Sequence, residues 1–235
     1  MTRALSILLL VAALAFAIGP LATPGFNGFT ADQFPIPQID PPAQPAGYAF
    51  AIWGVIYLWL IVGAGFQLLM RHDAPDWAPM RVPLIVSLVL GAAWLGVAQM
   101  SPFWATVLIW LMWGGAVLAL MRAPRRDCWF GHGPIGLYAG WLTAASSVAL
   151  ALMLAGHGIM GARLAAIVVL LLALGLAVTI TRARPDAQSF PAGVVWALIG
   201  VIVANAQGGS TLVLLLAAFG AAGLSWLTLT HARRT

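Results

Sequence analysis

Phe50, Trp53 and Tyr57 stand at i, i+3 and i+7 in FAIWGVIY, a spacing that puts three rings on one face of an α-helix. Tyr138, Trp141 and Ala145 repeat the arrangement in YAGWLTAA. Trp94, in LGAAWLGVAQ, is flanked by small residues that leave room beside its indole, and Trp110 and Trp113 adjoin Gly114 and Gly115. Rings of this kind carry no acid–base or nucleophilic chemistry. They offer broad apolar faces with an N–H or O–H at one edge, which suits the wall of a cavity for a large, flat, mostly apolar ligand. Ordinary aromatic packing inside a helix bundle satisfies the same spacing.

Reactive groups are sparse. All six acids are Asp, each in a polar link, and the eleven non-histidine basic residues are all Arg. His72, His132, His157 and His231 are scattered, with no two at metal-ligand spacing on one helix, and Cys128 has no second cysteine to bridge to. There is no Gly-rich phosphate loop and no hydrolase nucleophile motif. The polar residues inside apolar runs are uncharged: Gln67, Gln99, Thr143, Ser146, Ser147, Asn205 and Gln207. Such groups ordinarily bond to backbone or to a neighbouring helix. Asn205 and Gln207 could alternatively line a polar opening. Enzymatic chemistry is not expected, and a catalytic or metal site is assigned to no residue.

The elements that must position these rings follow from composition. The chain has 235 residues, 62% hydrophobic and 7% charged, far below the roughly one quarter charged of a soluble domain. It reads as an all-α, polytopic membrane helix bundle. Eight apolar segments are long enough to span, at about 3–22, 47–70, 81–100, 102–122, 134–156, 161–181, 190–206 and 209–230. The first resembles a signal peptide, but its apolar stretch is longer than a usual signal core, so a retained helix is expected.

With eight spans, one side collects Arg3, Arg71, Arg81, Arg122, Arg125, Arg126, Arg182, Arg184, Arg233 and Arg234, and the other only Arg163. That asymmetry predicts cytoplasmic termini. It also accounts for the net charge of +5 without a nucleic-acid partner. Trp59, Trp77, Trp104, Trp129 and Trp226 are expected in interfacial belts. Gly63 and Gly65, Gly114 and Gly115, Ala145 to Ser147, Ala173 with Ala177, and Ala217 with Ala221 let helix backbones approach.

The outer links are short except the first, residues 23–46. It is rich in Pro and Gly and carries Phe26, Phe29, Phe34, Asp32 and Asp40. Pro37, Pro41, Pro42 and Pro45 reduce the entropy lost on ordering it. A lid on the outer end of the bundle is favoured over a spacer, because the Phe residues need an apolar surface to rest on.

At these residues the chain resembles the tryptophan-rich sensory protein/translocator protein (TspO/MBR) family. That family has five membrane helices, a Pro-Pro motif in a long first loop, and F-x-x-W-x-x-x-Y opening helix 2. Pro41-Pro42, Phe50, Trp53 and Tyr57 match these features. Trp94 matches the helix 3 Trp, with Gly91 where the family has Asn. Tyr138 and Trp141 match helix 5, with Ala149 at its Asn position. The Trp usually found beside the Pro-Pro pair is missing.

The resemblance covers residues 1–157 as a five-helix core and leaves 158–235 as a three-helix extension. It implies a cavity enclosed by five helices and closed by the first loop. Phe50, Trp53, Tyr57, Trp94, Tyr138, Trp141 and Ala145 become its candidate walls. It further implies a porphyrin or other tetrapyrrole as ligand, with no required cofactor, in the bacterial inner membrane.

The reading is therefore a non-enzymatic membrane protein binding a hydrophobic small molecule for sensing or translocation. The alternative is an accessory subunit of a respiratory or photosynthetic membrane complex, since helices 6 and 8 are apolar nearly all round. A homodimer or such a larger complex is the expected assembly, within a lipid bilayer. A small-solute transporter would need a polar path, which the spans lack.

Overall fold

The computed structural model describes residues 2–22 and 28–232. Phe26, Arg233 and Arg234 lie outside these. The protein is a helical membrane bundle, and among the described residues eight helices are long and apolar enough to span a bilayer. They are α1 (Thr2–Ala22), α2 (Ile52–Met70), α3 (Ala78–Met100), α4 (Pro102–Arg122), α5 (His132–Gly156), α6 (Ala162–Ala183), α7 (Ser189–Ala206) and α8 (Thr211–Ala232). A 3-10 turn, Gly47–Ala51, leads into α2. No strand occurs among the described residues.

Neighbouring helices run α2–α1–α3–α4–α5 around a ring that closes where α5 meets α2. α6 and α7 also pack on α5, and α8 packs on α7 and α6. α5 is therefore the shared wall between two groups of helices. Most of its residues are buried, whereas α8 exposes Phe219 and Trp226, the kind of face that lipid covers.

The sequence explains why α5 can be so enclosed. Gly136 and Gly140 stand four apart and meet Ser189 and Phe190 at the start of α7, while Gly193 of α7 meets Gly140. A Cβ on Gly140 would collide with the Phe190 carbonyl oxygen, and one on Gly193 would lie 2.7 Å from the Leu137 carbonyl oxygen. Side chains as small as hydrogen let the two backbones touch, and dispersion across that contact holds helices together where lipid supplies no hydrophobic drive. Polar residues of α5 are satisfied locally. Thr143, Ser146 and Ser147 donate to carbonyls one turn back, those of Ala139, Leu142 and Thr143.

At the Arg-rich end, ion pairs cross between links. Arg71, after α2, pairs with Asp127 of the α4–α5 link at 2.8 Å, and Arg126 of that link pairs with Asp76 at 2.7 Å. Two arginines do more than mark sidedness. Arg81, fully buried, donates from Nε to Gln67 Oε1 at 2.8 Å and from Nη2 to the Arg71 carbonyl at 2.9 Å. It thereby caps the C-terminus of α2. Arg184, in the α6–α7 link, donates from Nη1 to the carbonyls of Leu120 and Ala123 at the end of α4. Its Nε and Nη2 hold Asp186 at 3.1 and 2.9 Å.

The hydrogen bond from Arg71 holds the Asp127 carboxyl below its ordinary range. Burial pushes the Asp186 carboxyl up, but the Arg184 hydrogen bonds and charge outweigh it and the net direction is down. A carboxyl whose pKa is depressed on folding stabilises the fold above its unfolded pKa, about 3.9 for Asp. That contribution is lost as pH falls through the folded value. The melting temperature in detergent is expected to be flat above about pH 5 and to drop in more acid solution. Asp127→Asn should shrink that acid-induced drop, as a pH series of thermal unfolding curves will show.

Residues 28–46 form a strap across the other end. Ile36 N–H donates to the Gly156 carbonyl of α5 at 2.9 Å, and Ala46 N–H to the Gly200 carbonyl of α7 at 3.0 Å. Gln33 Nε2 donates to the Ala98 carbonyl of α3 at 2.9 Å. Phe34 is buried, with its ring on Gly156. Asn205 Nδ2 donates to the Pro42 carbonyl at 2.9 Å while its Oδ1 accepts from Ser210 N–H. Asn205 is thus a clamp on the strap and the α7–α8 turn rather than the lining of a polar opening, and Gln207 is exposed.

Candidate functional site

The ring α1–α5 encloses a chamber of about 440 Å³ in its strap-side half, within the range of ligand sites, about 300–1,000 Å³. Phe50, Trp53, Tyr57, Trp94, Trp141 and Ala145 all line it. Trp53 and Tyr57 come from one face of α2, and their rings stack at 5.4 Å. Trp141 reaches across from α5 and meets Phe50 and Trp53 edge-on at 5.8 and 6.0 Å. Trp94 is oriented by its indole N–H, which donates to the Ala105 carbonyl of α4 at 2.8 Å.

Tyr138 shares the α5 face but is fully buried behind that wall, not on the chamber surface among the described residues. Its ring packs on Phe16 at 5.4 Å. Its hydroxyl lies 3.0 Å from Ser87 Oγ, and Ser87 Oγ donates to the Met112 carbonyl. With its own hydrogen so engaged, Ser87 accepts from Tyr138, and the three groups pin α3, α4 and α5 together. Trp110 and Trp113 do not join the chamber either. They meet edge-on at 5.2 Å, and the Trp113 indole N–H donates to Thr143 Oγ1 at 2.9 Å, so Trp113 stitches α4 to α5. Trp77, expected in an interfacial belt, is fully buried beside Phe66 at 5.8 Å.

Phe16 is the wall residue that the spacing argument did not find. Its ring is in edge contact with Trp53 at 5.8 Å and Tyr57 at 5.0 Å. A Cβ on Gly91 would lie 2.5 Å from Phe16 Cε2. The ring therefore sits where a side chain at position 91 would project, which is where the resembling family carries Asn. Phe16 is the one aromatic residue of α1, and that isolation in an otherwise aliphatic helix was the available signal. Ile109 and Met112 of α4 complete the lining.

The chamber presents ring faces and aliphatic carbon together with a minority of polar surface. Trp141 is only 2% exposed, and its indole N–H is buried without a hydrogen-bond partner. An unpaired buried donor costs about 1–3 kcal/mol. No cluster of three or more metal-ligating side chains occurs among the described residues.

A second, narrower space of about 90 Å³ lies on the α6–α8 side of α5 and under the strap. Phe50, Trp94, Ile109, Trp141 and Ala145 line both spaces. Ala149, at the other position where the resembling family has Asn, faces this second space.

A family model described as TSPO-like protein matches residues 4–230, so the match runs through all eight helices. No curated protein and no solved structure matches the chain.

Proposed function

The chain belongs to the TSPO-like protein family, and from that premise we propose that it is a non-enzymatic integral membrane protein that binds a hydrophobic ligand for sensing or translocation. A tetrapyrrole is the chemistry that suits its chamber best. The observation that carries the reading is the convergence of Phe16, Phe50, Trp53, Tyr57, Trp94 and Trp141, from the 3-10 turn and four helices, on one chamber of about 440 Å³. A flat macrocycle gains dispersion and edge contacts from such walls.

With Gly91 and Ala149 at the Asn positions, recognition rests on rings rather than on amide hydrogen bonds. The strap closes the chamber's end of the bundle, and the Arg-rich end faces the cytoplasm, as the positive-inside bias requires. The membrane is then a bacterial inner membrane.

Titrating detergent-solubilised protein with protoporphyrin IX should quench tryptophan fluorescence saturably. Trp53→Ala should weaken binding about tenfold, equal to about 1.4 kcal/mol. Trp141→Phe, which keeps a ring and removes the N–H, should weaken it less than Trp141→Ala. Quenching that rises linearly without saturation in the wild type would remove the proposal.

A further inference from the structure

We infer that the ligand is a flat macrocycle bearing one short, unbranched alkyl arm, with the macrocycle in the larger chamber and the arm in the narrow space between α5, α6 and α7. This rests on the ligand-binding reading above and specifies its substrate class.

The two spaces are back to back. Their partition is the Phe50–Trp141 ring pair, in edge contact at 5.8 Å, and Ala145 beside it. Phe50 belongs to the 3-10 turn that ends the strap, so rotation of its side chain needs no helix to move.

The two spaces differ in shape and lining. Beyond the residues they share, the larger is walled by Phe16, Trp53 and Tyr57, whereas the smaller is walled largely by aliphatic side chains such as Ala149, Leu152, Ala166, Ala173 and Ala197, with Phe29 from the strap. Its volume, about 90 Å³ against about 440 Å³ for the chamber, suits a chain rather than a second ring system. One water needs about 10–15 Å³ of such space and occupies about 30 Å³ of liquid. The slot of about 90 Å³ therefore has room for roughly six to nine water-sized groups, each close to a methylene in volume.

The test is an ester series of pheophorbide a (methyl, hexyl, octyl, hexadecyl) titrated into the full-length protein in lipid nanodiscs. Tryptophan quenching is the readout. Affinity is expected to rise about tenfold from the methyl to the hexyl or octyl ester and then level off or fall at hexadecyl. Ala173→Leu, which adds three carbons to the slot, should abolish the rise while the methyl ester binds as before. Ala197→Leu on the facing helix should do the same, so misfolding of one variant leaves the other informative. An affinity that climbs steadily through hexadecyl, unchanged in both variants, overturns the inference by showing partition into lipid. A methyl ester that saturates with no dependence on chain length also overturns it, with ligand binding still standing. No saturation by any ester overturns both readings.

Discussion

Replacing Gly140 by leucine is expected to leave little folded protein. A Cβ there already collides with the Phe190 backbone carbonyl, and backbone cannot rotate aside as a side chain can. α5 and α7 would have to separate along the Gly136–Gly140–Gly193 contact. That withdraws packing from α5, the helix that both groups of helices share. Overpacking a core side chain costs about 1–3 kcal/mol. A clash with backbone at a central helix crossing lies at or beyond the top of that range. The expected outcome is loss of the monodisperse peak in size-exclusion chromatography. Gly140→Ala should show a melting temperature lowered by several degrees, on a scale of about 2–4 °C per kcal/mol for a chain of this size. Gly65→Ala is the matched control, since nothing lies within 4 Å of a Cβ at that position, and it should melt like the wild type.

Arg184→Ala is expected to be the next most damaging change. The Arg184 side chain is 5% exposed and joins three elements: the end of α4 through the Leu120 and Ala123 carbonyls, the α6–α7 link, and Asp186. Truncation leaves two helix-terminal carbonyls short of a donor and a carboxylate short of its cation. Removing one partner of a buried pair costs about 3–5 kcal/mol. Asp186 is partly exposed to solvent, so the lower end, about 3 kcal/mol, is expected. Arg184→Lys should recover only part of this, because an ammonium cannot serve the carbonyls and the carboxylate with the same planar fork. Thermal unfolding of the three proteins at neutral pH measures the order wild type, Lys, Ala.

The spans were legible because hydropathy alone decides them. α4 runs Pro102–Arg122 as read from the sequence, with Ser101 accepting the Trp104 N–H ahead of it. α3 starts earlier than expected, at Ala78. Arg81 looked like a boundary charge but is buried inside the first turn, where it caps α2. The facing rings of α2 and α5 were legible because i, i+3, i+7 spacing fixes a shared face.

Three features were not legible. Periodicity does not say how deep on a face a ring lies, so Tyr138, on the Trp141 face, is held behind the wall by Ser87. The sequence shows how the arginines distribute over the links, but not which of them turn inward, since that depends on which helix end lies opposite. Gly136 and Gly140 carry the four-residue spacing of a close helix crossing, yet the spacing names no partner, and Gly193 is more than fifty positions away.

The most direct measurement is a crystal structure with zinc protoporphyrin IX bound, with data collected across the zinc absorption edge. The account predicts one anomalous peak inside the helix ring, between the rings of Trp53, Trp94 and Trp141 and beneath the strap. A peak on the lipid-facing surface of the helices, or a chamber closed by its own side chains with no peak inside, would contradict it.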